Sequence, residues 1–587
     1  MIKIPFFINS ILLPLALLLI VVQLSFSQEL QPRFVHRIGT PKWDGVSALC
    51  IDSSSNYYIA AGFTNSAVVH DDTTLFIQDT ISTHIIKYDN NNSVKQITNV
   101  GKAQITLLSS DKHENIYGFG YCSNDSISGG ILSKDVRIND TVLHLLWYVS
   151  DFTTLFKLDP SGRRKWSVPL YSNDKRNGPS VLSLHTSSLK NIFLYGFFRD
   201  SLMIGDSLFV GNYGIHSLFI AKFDSNGILI WCNTTKPTDL GTYPATMQVN
   251  ESEDVYITGR YDSNMTFDHY SISDTNHTYK SFLARFDSFG KLQYLKNIYE
   301  ESTSNSFQYI PYFYLGKDQN LYFYTDFTSD YDVNEESHFT IFDTTLYSYG
   351  INDCLVLKVH PDGKMAKAIQ FGGNNEDHLY QVGAVSGNTI YAVTYFSDSA
   401  RIRNSYYSSK INTTSFHAYM LELDTNLEFI SITSIPLGVI SYPGIFQKLA
   451  NEDFISSYNI REVLKIGKVS YPNLGDTTKD DIVIIRSDPN FATLEMPQKT
   501  FISTEVDIAP NPSSFATKVY CTLPSPSLVT ITIHDILGRE VMRNELGMRG
   551  EGSHEETLDV SELPIGSYIV KISTNQEVFT SRISVVR

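Results

Sequence analysis

The chain has 587 residues, too many for one ordinary core, and its balance of 42% hydrophobic to 18% charged residues excludes a disordered polymer. A formal net charge of −16, with no cluster of Lys and Arg, excludes a phosphate-tracking surface, so no nucleic-acid partner is expected. The 35 Tyr and 35 Phe favour strands.

In chain order, Lys3 precedes an apolar run from Ile11 to Val22, and Ser25-Phe26-Ser27 then supplies small residues before Gln28. That is the pattern of a secretory signal cleaved after Ser27. The run is short for a bilayer span of about 20 residues and lacks a basic stop-transfer flank, so residues 1–27 are read as a signal peptide and no transmembrane anchor is expected.

A strand-like segment then recurs as Tyr58-Ile-Ala-Ala-Gly62-Phe63, Tyr117-Gly-Phe-Gly-Tyr121, Phe193-Leu-Tyr-Gly196-Phe197 and Tyr256-Ile-Thr-Gly259-Arg260-Tyr261, and more weakly at Tyr322, Tyr391 and Phe454. A second segment follows each one after a variable insertion: His84-Ile-Ile-Lys87-Tyr-Asp89, Leu155-Phe-Lys157-Leu-Asp159, Phe219-Ile-Ala-Lys222-Phe-Asp224 and Phe282-Leu-Ala-Arg285-Phe-Asp287. It returns at Leu355 to His360, Met420 to Asp424 and Val483 to Asp488. The last position of this segment steps evenly along the chain through 89, 159, 224, 287, 360, 424 and 488, as a duplicated unit would.

The pieces are short, alternate with period two and end in Gly, Asn, Asp or Ser, so four strands are expected per unit. Turns such as Asp159-Pro-Ser-Gly162 and Asp224-Ser-Asn-Gly227 join the third strand to the fourth. There Asp can bond the backbone and Gly can supply a positive φ. Calcium is the one cofactor such turns could be asked to hold. They lack the alternating acidic ligands and distal Glu of a calcium loop, so the expectation is no cofactor and no metal.

Seven four-stranded units make a seven-bladed β-propeller over residues 28–490. The extra strand Phe34-Val-His-Arg-Ile-Gly39 reads as a fourth strand placed ahead of the first unit, able to complete the seventh and close the ring. Asp52-Ser-Ser-Ser-Asn56-Tyr-Tyr58 and Phe371-Gly372-Gly373 through Asp377 resemble the bacterial β-propeller repeat proteins. That resemblance implies a fold and no activity. Five cysteines, Cys50, Cys122, Cys232, Cys354 and Cys521, form no Cys-x-x-Cys pair and read as small buried hydrophobes.

After a linker at 491–502 the pattern restarts. Ile508-Ala-Pro510-Asn511-Pro512 opens it, a strand-turn-strand carries Asp535, Gly538 and Arg539, and Leu563-Pro564-Ile-Gly566-Ser-Tyr568 follows. These landmarks resemble the type A C-terminal sorting domain of type IX secretion cargo, placed at residues 503–587 as a small immunoglobulin-like β-sandwich. The resemblance implies export machinery at the outer membrane as a partner, secreted or cell-surface localisation after export to the periplasm, and release or attachment to surface lipopolysaccharide.

No zinc-protease helix, nucleophile elbow or phosphate loop occurs; His554-Glu555-Glu556-Thr557-Leu558 lacks the second His. Asp-Ser/Thr-aliphatic triplets at Asp79, Asp125, Asp140, Asp200 and Asp206 resemble bacterial O-glycosylation acceptors. The expectation is therefore an all-β, exported propeller that acts as a non-enzymatic binding or adhesion module for a glycan or protein ligand. The alternative is an extracellular polysaccharide-acting hydrolase or lyase with its site on the propeller face, whose catalytic residues the sequence does not identify.

Overall fold

In the computed structural model, residues 34 to 586 are described apart from intervening stretches, chiefly 124–134, 145–150, 303–311, 329–337, 409–416, 436–442, 473–480 and 488–505. The expected signal segment, the linker 491–502, Pro510, the triplets at Asp79 and Asp125, and Asp140 of a third triplet lie outside the described residues. Every regular element described is a strand. No described helix is long and apolar enough to cross a membrane. The chain divides into two compact units, Met1–Arg403 with Ser409–Met496, and Asn404–Ser408 with Pro497–Arg587.

The larger unit is a seven-bladed β-propeller. Blade 1 is the antiparallel meander Asp44–Ile51, Tyr57–Phe63, Ser82–Tyr88 and Val94–Gly101. The same order repeats over 103–171, 180–237, 242–297, 312–372 and 377–435 for blades 2 to 6. Blade 7 takes Pro443–Lys448, Phe454–Ile460 and Asp481–Ser487 from one end of the ring and Phe34–Gly39 from the other, with Phe34 opposite Arg486 and Ile38 opposite Ile482. First strands of successive blades lie side by side, and that of blade 1 meets blade 7, so the ring closes on its innermost strands.

The middle strands show why the repeat reads as it does. In blade 3 every residue of Ser217–Phe223 is buried, as are all but one of Ile192–Phe198, because a neighbouring blade covers each face. Period-two alternation, expected throughout a unit, is therefore weak in the second and third strands. The repeated Gly has a steric cause: a Cβ on Gly120, Gly196 or Gly259 would come within 2.5, 2.1 or 2.4 Å of a carbonyl oxygen on the first strand. Blade 6 has Thr394 there instead, and its hydroxyl donates to the His378 carbonyl at 2.9 Å.

Neighbouring blades are latched through the Asp-led turns. Trp166 Nε1 donates to the Ser225 carbonyl at 3.1 Å and Trp231 Nε1 to that of Ser288 at 3.2 Å, each in the turn of the next blade. The turn glycine, Gly227 or Gly290, lies flat on that indole, where a Cβ would approach within 2.9 or 2.8 Å. Its φ values of +81° and +82° add a second demand for Gly. Leu427 occupies this position in blade 6 at φ +57° and is fully buried. Burying a Leu side chain is worth about 1.5–3 kcal/mol, which outweighs a left-handed cost of roughly 1–2 kcal/mol.

The variable insertion between second and third strands holds a feature the sequence reading missed. In each blade its described part is a short β-hairpin, such as Ser201–Ile204 with Ser207–Val210 or Asn264–Phe267 with Tyr270–Ser273. The hairpins of blades 1, 3, 4 and 6 pair with the outer strand of the preceding blade, producing six-stranded sheets from blades 7, 2, 3 and 5. Leu202 and Met265 are fully buried by this docking. The Asp-Ser-Leu triplets at Asp200 and Asp206 begin the two strands of one such hairpin, so they have a structural cause, and Ser201 is buried.

The smaller unit is a β-sandwich. One sheet holds Val506–Ala509, Ala516–Leu523 and Gly552–Asp559; the other holds Ser527–His534, Glu540–Arg549, Gly566–Ser573 and Val578–Val585. Val519, Ile531, Ile533, Val570, Ile572 and Ile583 fill the space between them.

One latch is a buried ion pair. Lys222 Nζ of blade 3 lies 2.7 Å from Glu253 Oε2 of blade 4, with side-chain exposures of 7% and 4%. Burial pushes the Glu253 carboxyl up, but hydrogen bonds from Lys222, Ser187 and Asn191 outweigh it, so the net shift is below the ordinary 4.5. Glu253→Gln strands the Lys222 charge and should destabilise the propeller by about 3–5 kcal/mol in denaturant unfolding. Breaking the more exposed Lys87–Glu114 pair by Glu114→Gln should cost about 1 kcal/mol or less. Because the native carboxyl titrates below its unfolded value, the Glu253 contribution is present above about pH 4.5 and fades as pH falls toward the native value. Wild type should lose stability through that window more steeply than Glu253→Gln.

Candidate functional site

The propeller has two unlike faces. One carries the tight turns between first and second and between third and fourth strands, and their carboxylates are engaged by the turns themselves. Asp89, Asp159, Asp224, Asp287 and Asp424 each accept two backbone N–H groups on one oxygen. Asp111 takes the amides of His113 and Asn115 on Oδ1, and the Asn115 side chain and Tyr117 hydroxyl on Oδ2. Burial raises its carboxyl, yet those four donors hold it below the usual carboxylate range. A calcium ion at these turns would have to displace such bonds. Among the described residues, no group of three or more His, Cys, Asp or Glu side chains is arranged to hold a metal.

The other face carries the blade-to-blade connections and the insertions. Here a cavity of about 350 Å³ opens between blades 2 and 3, lined by Tyr121, Gly178, Ser180, Phe197, Phe198, Arg199 and His216. Each residue arrives at the site for a local reason. Tyr121 and Phe197 follow the repeat glycines Gly120 and Gly196 at the ends of second strands, and Ser180 opens the first strand of blade 3. The Tyr121 hydroxyl and Ser180 Oγ lie 2.7 Å apart and tie the two blades.

His216 is fixed from three sides. Its ring packs on Phe197 at 4.6 Å and edge-on to Tyr243 at 4.8 Å, while its carbonyl accepts the Thr242 amide and hydroxyl. At Gly241, with φ +104°, an added Cβ would come within 3.0 Å of the His216 nitrogen. Arg260 stacks over the far side of the wall, 4.7 Å from the Tyr243 ring centre. Burial, assisted by the Arg199 charge, lowers the imidazole to about 4, so it is neutral near pH 7. Its Nδ1 and the Nε of Arg199 are buried without a hydrogen-bond partner among the described residues.

A second constellation lies on this face at blades 5 and 6. Asp326 Oδ2 is 3.0 Å from His378 Nδ1, its Oδ1 accepts the Leu379 amide, and Tyr395 stacks on His378 with ring centres 6.2 Å apart. Burial raises the Asp326 carboxyl despite its bonds to His378 and Leu379. Asp377 Oδ2 accepts the Gly373 amide and pins the connection between the blades. Cys50 and Cys354 are buried and Cys232 is half-buried, all three free; burial raises each thiol well above its ordinary value.

In the small sandwich the sequence landmarks fall on turns and on the terminal strand. Asn511 accepts the Ser584 amide at 3.0 Å and donates to the Arg582 carbonyl at 2.8 Å, and the Asn511–Pro512 bond is cis. Asp535 holds Arg539 through its amide and Nε, with Gly538 at φ +79° between them. This is the same Asp-x-x-Gly turn the propeller uses. Leu563 is buried, Gly566 opens the next strand, and the Tyr568 hydroxyl returns to the Pro564 carbonyl at 2.7 Å. Arg539 remains 75% exposed.

The family described as Secretion system C-terminal sorting domain matches residues 507–586. The smaller unit is therefore a sorting domain for export to the cell surface or beyond. No curated protein matches the chain. Among solved structures, the Dos1 propeller is similar at 10% identity, covering 78% of this chain and 95% of that one with a TM-score of 0.35. A PL25 ulvan lyase in complex with its saccharide is similar at 6% identity, covering 72% and 93% with a TM-score of 0.33. PorZ, a surface component of the type IX secretion system of Porphyromonas gingivalis, is similar at 9%, covering 94% and 100% with a TM-score of 0.15. At these identities and scores the likenesses add nothing to the fold that the strand order gives.

The loop-face pocket left no sequence signal, because Tyr121, Ser180, Phe197, Arg199 and His216 come from separate strands and no spacing joins them. The His216 environment is directly measurable. By NMR titration its imidazole should titrate near 4, and Arg199→Gln should move it upward toward 6.5 by removing the opposing charge.

Proposed function

We propose that the protein is exported type IX cargo whose propeller works at the cell surface or outside it as a binding module, with the ligand taken on the loop face. One observation carries the reading: carboxylates of the tight-turn face are consumed by their own backbone, whereas the loop face holds an open cavity with aromatic walls and a half-buried guanidinium. Pockets that bind small ligands pair such apolar walls with a few polar groups. The sorting domain supports delivery by the outer-membrane export machinery, after a signal at residues 1–27 has carried the chain to the periplasm. The export landmarks Asn511, Pro512, Asp535, Arg539, Leu563, Pro564 and Tyr568 shape the turns that machinery would meet, with release or lipopolysaccharide attachment as the step that follows.

A second reading is an enzyme acting on an extracellular polysaccharide. The Asp326–His378 pair with Tyr395 stacked on it favours this, since a carboxylate on one imidazole nitrogen orients a base. Product formation abolished by His378→Ala with an unchanged melting temperature would establish it; binding without turnover on a glycan array favours the module.

Export is tested by removing residues 503–587. The shortened chain should stay in the periplasm while the full chain reaches the surface or medium. Equal appearance outside the cell would overturn the assignment.

A further inference from the structure

We propose that the pocket between blades 2 and 3 binds one anionic pyranose unit of a glycan, its carboxylate or sulfate held by Arg199 and its ring laid against Phe197. This rests on the binding-module reading and specifies its ligand. Arg199 is half-buried, lines the cavity and has no side-chain hydrogen bond or ion pair among the described residues. Its Nε is shielded from water without a partner, a cost that an entering oxyanion would relieve through two parallel N–H···O bonds.

The rest of the wall fits a sugar better than a bare ion. Phe197 and Tyr121, both partly exposed, supply ring faces, which need an apolar surface to cover, and a free inorganic anion offers none. Neutral His216, with Nδ1 unpartnered, can exchange a hydrogen bond with a hydroxyl without adding charge. A cavity of about 350 Å³ falls at the lower end of the roughly 300–1,000 Å³ of small-ligand sites, suiting one or two sugar units. The formal net charge of −16 opposes general attraction of polyanions, so affinity for an acidic glycan has to arise from a local site such as this one.

The test is calorimetric titration of the full chain with four probes: an oligouronide, a sulfated galactan oligomer, a neutral cello-oligomer and sodium sulfate alone. The uronide or the sulfated oligomer should bind, with the neutral oligomer and sulfate at least tenfold weaker; which anionic probe wins identifies the headgroup. Arg199→Gln should weaken the anionic probe tenfold or more, Arg199→Lys should recover part of that, and Phe197→Ala should also weaken it, with melting temperatures within a few degrees of wild type. Should Arg199→Gln itself lose stability, Arg199→Lys and Phe197→Ala carry the test. Equal binding of neutral and anionic oligomers, or full affinity in the Arg199 variants, would overturn this ligand assignment and leave the binding module standing. No binding to the four probes would overturn it as well, and silence across a broad glycan and protein array would remove the module reading too.

Discussion

Pairing of Phe34–Gly39 with Asp481–Ser487 is the constraint on which the propeller depends. Without it the seventh blade has three strands and the ring has two free edges; with it, strands from opposite ends of the propeller share one ladder. Closure makes every blade a neighbour on both sides, and that is what allows second and third strands to be buried on both faces. A ring joined in this way also converts local latches into collective ones. The Trp166 and Trp231 bonds to the next turn, and the Lys222–Glu253 pair, each hold a contact that cannot open without disturbing its neighbours.

The two faces divide the labour. Turn-face side chains are spent on fixing the frame: Asp on the turn amides, Gly beneath an indole, Lys or Arg across a ring of the same blade. Loop-face residues are released from that duty, because insertions of differing length leave room that the repeat does not prescribe. There a repeat position becomes Tyr121 in one blade, Phe197 in the next and Arg260 in the one after. Variation at a fixed backbone place is how a duplicated scaffold produces a single, unrepeated site.

That division also explains what could be read in advance. Blade number, the Asp-x-x-Gly turns and the closing strand were legible because each rests on local chemistry repeated along the chain or on one strand resembling the others. The hairpins between second and third strands were passed over although Ile204-Gly205-Asp206-Ser207 and Phe267-Asp268-His269-Tyr270 carry two-residue turn signals with positive φ at Gly205 and Asp268. Their strands are only four residues long, and pairing with the preceding blade, which stabilises them, is a long-range event. Central strands lost their alternation for the same reason, since burial on both faces is a property of the ring. The pocket around Arg199 and His216 was invisible, being made by proximity alone. In the sorting domain, the landmark residues proved to be turn formers and strand pins, so their sequence spacing records a shape.

Hydrogen exchange across the whole chain, comparing wild type with Val35→Pro, tests ring closure most directly. Val35 lies opposite Ile485 in this ladder, and proline there fixes φ and removes the N–H, which disfavours the pairing. Protection should fall at 481–487 and also in the second and third strands of blades far along the chain, while the sandwich at 506–585 keeps its own. Loss confined to residues near 35, with the remaining blades fully protected, would contradict a propeller held shut by that strand.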